Sequence, residues 1–371
     1  MDKGKSLHFV SMDVPYPPNY GGIIDVFYKL KAFSNFEIEI DLHLFGFKER
    51  NIDIFKKYAK NVYFYKINQK SYYLLQRYPL SVRSRDGKLF YERIKSLKAP
   101  IFFESLKTTF VLNKYNLDDY PKYLRLHNVE QNYFFGLARS EKNIIKKALY
   151  YIEAKKYIDY EKIIYQFDEV FTLSKFEQNY TQKKFNKGKF IPVFHGNKSF
   201  QLLSEKGKFA LYHGDLRTSD NRKVVSFLID VFKEIDYPFV IASSTREDWV
   251  KSKIQNFKHI KFIKLKDFDH LKDLFENAHI NISWSFQESG TKLKIINALF
   301  NSRFSIINKN VIDDKLISNL CIKVSDKSEL IKAINKFKNQ PFIASDEYVN
   351  TLEYYLNNQL NAEKILKQIF S

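Results

Sequence analysis

Residues 7–33 read "LHFVSMDVPYPPNYGGIIDVFYKLKAF", and this stretch decides the fold. It begins with a short apolar run at 7–11, which has the length and composition of a buried strand. Three prolines and two glycines at 15–22 then force a loop. The remaining residues place apolar side chains three and four positions apart, which is the helical period. The stretch therefore predicts a strand, a loop and a helix, the unit from which parallel sheets are built.

The same alternation recurs in both halves of the chain. Strand-like runs that precede helical patterns include "EIDLHLF", "VYFYKI", "APIFFES" and "KYLRLHN", and later "FALYHG", "FVIASS", "IKFIKL" and "INISW". The periodicity breaks at 190–208, where proline and glycine indicate a linker. We therefore expect an α/β fold with two doubly wound parallel-sheet domains at 1–200 and 201–350, and a C-terminal helix at 351–371 that packs back toward the first domain.

The chain is strongly basic, with 61 Lys and Arg residues against 42 Asp and Glu residues and a formal charge of +19. The excess is divided among short clusters, and neither a long basic tail nor a nucleic-acid readout motif occurs. Nucleic acid is therefore not expected as a partner. A solvated surface and a functional basic face for an anionic membrane or anionic substrates are both compatible with this charge.

Cysteine usage and hydropathy bear on location. The single cysteine, Cys321, excludes an intramolecular disulfide and a thiolate metal cluster, and it fits a reducing compartment. The N-terminal apolar run is too short for a signal peptide, and no stretch approaches the roughly 18 apolar residues of a membrane span. We expect a cytoplasmic protein, and any contact with the inner membrane face is expected to be peripheral.

Common cofactor and metal motifs are missing from the sequence. "GKS" at 4–6 lacks the upstream glycine of a phosphate loop, and neither G-x-G-x-x-G nor H-E-x-x-H occurs. "DFD" at 267–269 is interpreted as a helix start with an Asp cap rather than a metal-binding pair of carboxylates. Neither a resident cofactor nor a metal site is predicted.

Candidate ligand residues in the first half follow two predicted strands. Open α/β sheets bind ligands at the carboxyl ends of their strands. Gly21 and Gly22 open the first helix there, where backbone amides can approach an anion or a sugar, although an ordinary proline-rich turn is the alternative. His127 follows "LRLHN" at the same edge and can donate or accept a hydrogen bond near neutral pH. A histidine that caps the next helix is the alternative.

The second half repeats this arrangement. Gly214, Arg217 and Asn221 follow "FALYH"; Arg217 can reach a phosphate, and Asn221 is either a ligand residue or a helix cap. In "FQESGTKLKIINAL" at 286–299, Lys294 lies in the first helical turn, where the helix dipole disfavours cations. This predicts that an anion such as a pyrophosphate binds at that turn, whereas lysines that simply point into water are the alternative.

Five segments resemble the family 4 glycosyltransferases by their order and spacing. They are "PYPPNYGGIIDV", "LRLHNVEQNYF", "FDEVFTLSKFE", "GDLRTSDN" and "SGTKLKIINAL". The resemblance implies the GT-B fold, in which two Rossmann-like domains face each other across a cleft, with the acceptor on 1–200 and the donor on 201–350. It also implies metal-independent transfer of a sugar from a nucleotide-sugar to a saccharide or lipid-linked acceptor in surface polysaccharide synthesis, usually with retention.

The resemblance also assigns roles to residues. His127 matches the histidine that faces the donor sugar, and Gly21, Gly22 and Asp25 match the loop near the donor phosphates and the acceptor. Donor binding is assigned to Gly214, Arg217, Asn221, Glu288, Ser289, Gly290, Thr291, Lys294 and Asn297. Glu153 and Glu161 match acidic positions of a long helix and are interpreted as structural.

One departure from the family pattern is serious. Many members carry two glutamates separated by seven residues near this turn, and Ser289 and Asn297 stand at these positions here unless a one-residue shift brings in Glu288. The alternative function is therefore a catalytically weakened GT-B module that binds a glycan or a partner enzyme. A sugar-nucleotide epimerase on the same fold lacks acid and base carboxylates that we can place. Residues 70–85, "KSYYLLQRYPLSVRSR", suit a sugar-chain or lipid-pyrophosphate acceptor, with a packed helix as the alternative.

Overall fold

The computed structural model of the chain describes residues 4–18, 21–49, 51–203, 205–287 and 293–371. The predicted donor residues Glu288, Ser289, Gly290 and Thr291 lie outside these ranges. The chain forms two compact units, Met1–Gly196 with Asn357–Ser371, and Asn197–Leu356. The division thus falls at 196/197, where the sequence suggested 200/201.

The first unit is built on a seven-stranded sheet. Its strands are β1 (Lys5–Ser11), β2 (Ile38–Gly46), β3 (Asn61–Lys66), β4 (Ile101–Glu104), β5 (Lys122–Leu126), β6 (Glu169–Thr172) and β7 (Lys189–Phe190). They lie in the order β3-β2-β1-β4-β5-β6-β7, and every pair is parallel. The strand order reverses between β1 and β4, so this edge of the sheet is a topological switch point, where such sheets bind ligands.

Helices cover both faces of this sheet. They are α1 (Gly21–Phe33), α2 (Leu80–Arg83), α3 (Lys88–Ser96), α4 (Glu130–Ser140), α5 (Ile144–Tyr160) and α6 (Lys175–Phe185), with 3-10 helices at Ile52–Lys57, Ser71–Leu75, Leu106–Asn113 and Glu161–Gln166. The strands are apolar almost throughout because both faces are buried, and separate apolar clusters form on the two sides. The predicted sequence of strand and helix over 7–33 is confirmed by β1 and α1.

The second unit repeats the design with six parallel strands. They are β8 (Phe209–His213), β9 (Phe239–Ser243), β10 (Ile260–Lys264), β11 (Ala278–Ser283), β12 (Phe304–Ile307) and β13 (Ile322–Lys323), in the order β10-β9-β8-β11-β12-β13. The helices are α7 (Ser219–Phe232), α8 (Glu247–Ile254), α9 (Phe268–Asn277), α10 (Leu293–Asn301), α11 (Lys315–Asn319), α12 (Lys327–Phe337) and α13 (Asp346–Asn350), and α13 continues into a π-helical turn at Thr351–Tyr355. Asp267 caps α9 by accepting the His270 amide hydrogen at 2.8 Å, which confirms the capping interpretation.

The C-terminal helix α14 (Asn358–Ile369) belongs to the first unit. Its buried side chains Ala362, Ile365 and Leu366 join the apolar cluster on the α1 side of the sheet. Residues 351–356 remain with the second unit, so only the later part of the predicted 351–371 segment packs on the first. Within the described ranges, none of the helices is both long enough and apolar enough to cross a membrane.

Candidate functional site

The first candidate region is the start of α1, at the carboxyl edge of the first sheet. Gly21 and Gly22 are its first residues, and this turn contains no acidic side chain. A Cβ atom added at Gly21 would meet nothing within 4 Å. Packing within the protein therefore does not require a glycine at this position. The first amides of a helix have no partner inside the helix, so this turn can receive an anion or a sugar, which stays a prediction.

His127 lies at the same edge, one residue after β5. Its Nε2 atom is 2.8 Å from Oε2 of Glu104, the last residue of the neighbouring strand β4. An ionised carboxylate only accepts hydrogen bonds, so Nε2 carries the hydrogen, and in the neutral tautomer with this hydrogen Nδ1 is the acceptor. The Nδ1 atom is buried and has no hydrogen-bond partner among the residues that the structure describes. Such an unsatisfied buried atom calls for a ligand, a water or an ion as its partner.

Glu104 is itself held by a buried network of charges. The Lys29 ammonium lies 2.6 Å from Glu104 Oε1 and 2.7 Å from Asp25 Oδ2, and all three side chains are completely buried. Arg125 completes the network with a 3.0 Å contact to Asp25 Oδ1. Two carboxylates and two cations therefore balance before any charge on His127 is counted. The network fixes the position of Glu104 and, through it, the orientation of the His127 ring.

Asp25 differs from its expected place beside the acceptor and phosphate loop. Its Oδ1 also accepts the Phe194 amide hydrogen at 2.8 Å, and no part of the side chain reaches solvent. Burial alone would raise the pKa of Asp25, but Arg125 and Lys29 outweigh it and hold the pKa well below its usual range. The carboxylate points into the unit because its cationic partners lie there. Asp25 supports the site from behind and has no access to a substrate.

Asp25, Glu104 and His127 together have the side chains of a metal site, with one possible ligand atom from each lying within 4.8 Å of the others. The Lys29 ammonium, however, contacts both carboxylates directly. It already supplies the positive charge that two buried carboxylates need. In this arrangement the cluster supports His127 through balanced charges.

Glu130 adds a second unsatisfied atom close by in the chain. It lies in the first turn of α4, and its Oε1 accepts a hydrogen bond from Ser105 at 3.3 Å. Its Oε2 is buried and finds no partner within the described part of the chain. Ser105 has a φ of 70°, a value that L-residues rarely adopt and that is often found at functional sites. Sequence reasoning missed Glu104 and Ser105, although the end of "APIFFES" was a signal for them.

Glu153 and Glu161, the two acidic residues interpreted as structural, are buried inside the first unit. Glu153 accepts the Leu80 amide hydrogen at 2.7 Å, and Glu161 accepts a hydrogen bond from Tyr180 at 2.7 Å. Both belong to the α5 region and support packing rather than a ligand site.

In the second unit, the loop after β8 is held together by Asn221. The side-chain amide of Asn221 donates a hydrogen bond to the Asp215 backbone carbonyl at 2.8 Å, and its Oδ1 atom accepts one from the Tyr212 hydroxyl at 3.1 Å. A Cβ atom at Gly214 would lie 3.1 Å from that hydroxyl and 3.2 Å from Nδ2 of Asn221, so this glycine allows the loop to close tightly. The cap of α7 is Thr218, not Asn221, because the Thr218 hydroxyl accepts the Asn221 amide hydrogen.

Two carboxylates lie where the sequence led us to expect an anionic ligand. Asp215 pairs with Arg217, whose NH2 is 2.7 Å from Oδ2, at an exposed position. Asp220 accepts from the Ser285 hydroxyl at 3.1 Å and from the Phe286 amide at 3.2 Å. Ser285 and Phe286 begin the turn that follows β11. The first donors of that turn, and the Arg217 side chain, are therefore already engaged by acidic groups of the protein.

Lys294 lies where the ends of β8 and β11 meet. Its ammonium is 4.9 Å from the centre of the Tyr212 ring and 3.4 Å from the Trp284 carbonyl oxygen. Burial and the Lys294 charge lower the pKa of the neighbouring His213 to about 3, so that histidine is neutral at physiological pH. Lys294 therefore brings positive charge to the carboxyl edge of the second sheet, close to Gly214 and Asn221 in the loop after β8.

Asn297 is placed differently from its predicted role at the donor ribose. It is buried in α10, and its side-chain oxygen accepts a hydrogen bond from Asn197 at 3.0 Å. This oxygen is the acceptor that a ribose hydroxyl would need. The oxygen is occupied because the segment before β8 brings the Asn197 side chain against α10. The structure thus gathers Gly21, Gly22 and His127 at the carboxyl edge of the first sheet. At the carboxyl edge of the second sheet it gathers Gly214, Arg217, Asn221 and Lys294.

Comparisons with known proteins agree on the fold. No model of a known protein family matches the chain. The chain is 28% identical over 323 residues to a Klebsiella pneumoniae protein described as an uncharacterized 44.6 kDa protein in the cps region, a match that covers 80% of this chain and 81% of that one. The curated relative therefore matches most of both sequences.

Among solved structures, Anabaena HepE in complex with UDP and glucose superposes with a TM-score of 0.67 at 11% identity and covers all of both chains. WaaG, a glycosyltransferase involved in lipopolysaccharide biosynthesis, gives a TM-score of 0.63 at 11% identity over 98% of this chain and 100% of that one. Together with two all-parallel sheets, these likenesses show that the chain has the GT-B fold.

Proposed function

We propose that this chain is a glycosyltransferase that moves a sugar from a nucleotide-sugar to a saccharide or lipid-linked acceptor in surface polysaccharide synthesis. The fold that it shares with HepE and WaaG supports this proposal, and so does the relative in a cps region. The observation that carries it is the buried His127 side chain, whose Nδ1 has no partner in the described structure while Nε2 is fixed by Glu104. Retention of configuration, donor specificity and a cytoplasmic location are finer parts of the same proposal.

The chemistry expected of His127 follows from its hydrogen bonding. With its Nε2 hydrogen donated to Glu104, the ring presents a lone pair on Nδ1, which accepts a hydrogen bond from a hydroxyl of the transferred sugar. This bond orients the sugar for reaction. Lys294 is proposed to offset the negative charge that develops on the departing diphosphate, which is the kind of electrostatic contribution that usually dominates such reactions.

The test of His127 uses two substitutions that separate its two nitrogen atoms. His127→Gln extends an amide toward the Nε2 position, where it still donates to Glu104, but leaves no acceptor at the Nδ1 position. His127→Ala removes both. With UDP-glucose as the first donor of a nucleotide-sugar panel, we expect His127→Gln to lower turnover about tenfold at unchanged thermal stability, which is the loss of one hydrogen bond of ~1.4 kcal/mol. If His127→Gln turns over at the wild-type rate, the proposed hydrogen bond between His127 Nδ1 and the sugar is wrong.

Metal independence is tested separately. The carboxylates near His127 are compensated by Lys29 and Arg125, so a divalent cation is not needed to neutralise them. We expect the release of nucleoside diphosphate to continue unchanged after treatment with EDTA. Activity that EDTA abolishes and magnesium restores would contradict this part of the proposal.

The second candidate function is a GT-B module that binds a glycan or a partner enzyme without catalysis. It is favoured by Asp220, whose carboxylate takes the hydroxyl of Ser285 and the amide of Phe286, and by Asp215, which pairs with Arg217. A diphosphate would have to displace these carboxylates. The binding module is supported if none of the nucleotide sugars stabilises the protein and no turnover is measured. A nucleotide sugar that does bind, at a concentration a hundred times its Kd, stabilises the folded protein by about 2.7 kcal/mol.

Asp220→Asn tests whether this carboxylate decides between the two functions. The substitution keeps the shape and one acceptor but removes the negative charge beside the turn after β11. We expect tighter binding of UDP than in the wild type, measured by calorimetry. Asp230→Asn in the same helix is the control, because Asp230 is exposed and pairs with the exposed Lys233. Equal UDP affinity in all three proteins would show that Asp220 does not oppose the diphosphate.

A further inference from the structure

The outward face of α5 is apolar and largely exposed, and among the described parts of the chain α4 touches it at Tyr151, whose ring centre lies 5.6 Å from that of Phe135. It consists of Ile144, Ile145, Tyr151, Ile152 and Ile158, which we call the α5 face. Ile144 and Ile145 are 82% and 72% exposed, at the tip of the α4–α5 hairpin. The opposite side of the helix is packed into the unit through Ala154 and Tyr157. An apolar surface of this kind, left on a helix that already has its core contacts, marks an interaction site.

Cations surround this face. Lys142, Lys146 and Lys147 are exposed at the hairpin tip, and Arg139 and Lys155 are exposed nearby. Glu141 and Asp159 are the acidic side chains at the surface of this stretch, while buried Glu153 pairs with Lys156, so five exposed positive side chains stand against two negative ones at the surface. No described carboxylate forms an ion pair with the three tip lysines. Their charge is available to an anionic partner.

We propose that the α5 face docks on an anionic membrane surface. Protein interfaces are depleted in lysine and enriched in arginine and large aromatic side chains. The α5 face shows the opposite balance, with four isoleucines bordered by lysines. Apolar side chains that enter the boundary between headgroups and acyl chains, with lysines at the level of the anionic headgroups, match this composition. Tyr151 fits the same boundary, where tyrosine is enriched.

A pocket beside the C-terminal half of α5 supports the same partner. It has a volume of about 300 Å³, and its lining includes Arg77, Tyr78, Lys156 and Lys162. Asp159, which also lines the pocket, lies on the same side of the helix as the α5 face. Lys156 already pairs with Glu153, so Arg77 and Lys162 are the cationic side chains at this opening that suit the phosphate of a lipid headgroup. The aromatic and basic segment 70–85 forms part of this pocket through Arg77 and Tyr78. It is also joined to α5, because Lys156 donates a hydrogen bond to the Leu74 carbonyl at 2.8 Å.

The test measures sedimentation of the purified chain with vesicles of phosphatidylcholine alone or mixed with phosphatidylglycerol, at low and high salt. We expect binding only to the anionic vesicles, weakened by salt. Lys142→Gln/Lys146→Gln/Lys147→Gln should lower the partition coefficient by about fivefold for each lysine, on the order of a hundredfold in all. Ile144→Ser/Ile145→Ser should abolish the binding that persists at high salt.

Matched controls exist in the second unit. Ile343 is 81% exposed, and Lys258, Lys261 and Lys266 are exposed lysines, so Ile343→Ser removes one exposed isoleucine and the triple glutamine variant removes three exposed lysines from another surface. The proposal requires both controls to bind vesicles as the wild type does. It is overturned if the α5 variants bind as the wild type, or if the controls lose as much. It is also overturned if light scattering shows that the wild type is a dimer and the α5 variants are monomers, while vesicle binding is unchanged. The face would then be a self-association interface.

The measurement needs no donor, acceptor or turnover. Its result is therefore independent of the proposed transferase activity, and each proposal can fail without the other. Circular dichroism of every variant confirms that a loss of binding does not come from unfolding, which exposed substitutions of this kind rarely cause.

Discussion

Replacing Asp25 with asparagine separates a structural role of this residue from the substrate role that its sequence position suggested. The substitution preserves the size of the side chain and removes its charge. Arg125 and Lys29 stay buried, and only Glu104 remains to compensate them. The change thus converts a balanced buried network into one with an excess positive charge.

The magnitude follows from the burial of this network. Removing one partner of a buried ion pair typically costs about 3–5 kcal/mol, because the remaining charge is left without compensation. Lys29 keeps its contact with Glu104, and the asparagine can still accept the Phe194 amide hydrogen, so we expect about 3 kcal/mol, the lower end of that range. A loss of this size is a large fraction of the roughly 5–15 kcal/mol that stabilises a typical protein.

The assay is urea unfolding of the full chain, followed by circular dichroism and by tryptophan fluorescence. Both tryptophans, Trp249 and Trp284, lie in the second unit, so fluorescence reports mainly on that unit whereas circular dichroism reports on the whole chain. We expect the circular dichroism transition to shift to lower urea. Asp53→Asn is the control, because the Asp53–Lys56 pair is exposed and its loss should leave the transition unchanged.

The pH dependence supplies a second readout for Asp25. Its folded-state pKa is lowered, so its contribution is complete above the unfolded-state pKa of about 3.9 and is lost as pH falls below that value. The variant should therefore lose less stability than the wild type in this acid range. A variant with wild-type stability but impaired donor or acceptor binding would refute the structural reasoning and restore the role predicted from sequence.

Three further predictions concern other parts of the chain. Gly21→Ala should leave stability unchanged or raise it by about 0.5 kcal/mol in urea unfolding, since a Cβ there meets no atom, yet it should weaken nucleotide-sugar binding if a ligand approaches that turn. His8 and His43, hydrogen-bonded to each other at 3.0 Å, have pKa values lowered first of all by burial, so stability should fall as pH drops below about 6.5, and His43→Phe should flatten that dependence in urea melts. Burial raises the pKa of Cys321 to about 12, so iodoacetamide should modify it slowly until urea unfolds the protein, as followed by mass spectrometry.

The order of strands and helices was accessible from the sequence because each buried parallel strand leaves a continuous apolar run. The ligand edge was accessible for the same reason, since the end of a run locates the carboxyl end of its strand. His127 and Gly21 were found in this way. Their partners were not, because Glu104 meets His127 only through the pairing of β4 with β5, and that register is not contained in a single apolar run.

Asp25 illustrates the limit more sharply. The resemblance of its segment to the family 4 glycosyltransferases had placed it beside a ligand. Its main partner, Arg125, is a hundred residues away in the chain, on strand β5. A local signal did exist, because Asp25 and Lys29 are four residues apart in a mostly apolar helix, a spacing at which opposite charges meet. Asn297 was misplaced for a similar reason, since its partner Asn197 comes from the chain before β8.

The two sheet edges differ in how their polar groups are satisfied, and this difference bears on function. At the first edge, His127 Nδ1 and Glu130 Oε2 are buried without partners in the described structure. At the second, His213 Nε2 at the end of β8 is likewise buried without a described partner, but Asp220 already satisfies the first donors of the turn after β11. Both edges therefore hold groups that a ligand could satisfy, whereas the second edge must also give up a carboxylate. If the chain is a transferase, part of the donor binding energy is spent on displacing Asp220, and the affinity for nucleotide should be modest even where turnover is efficient.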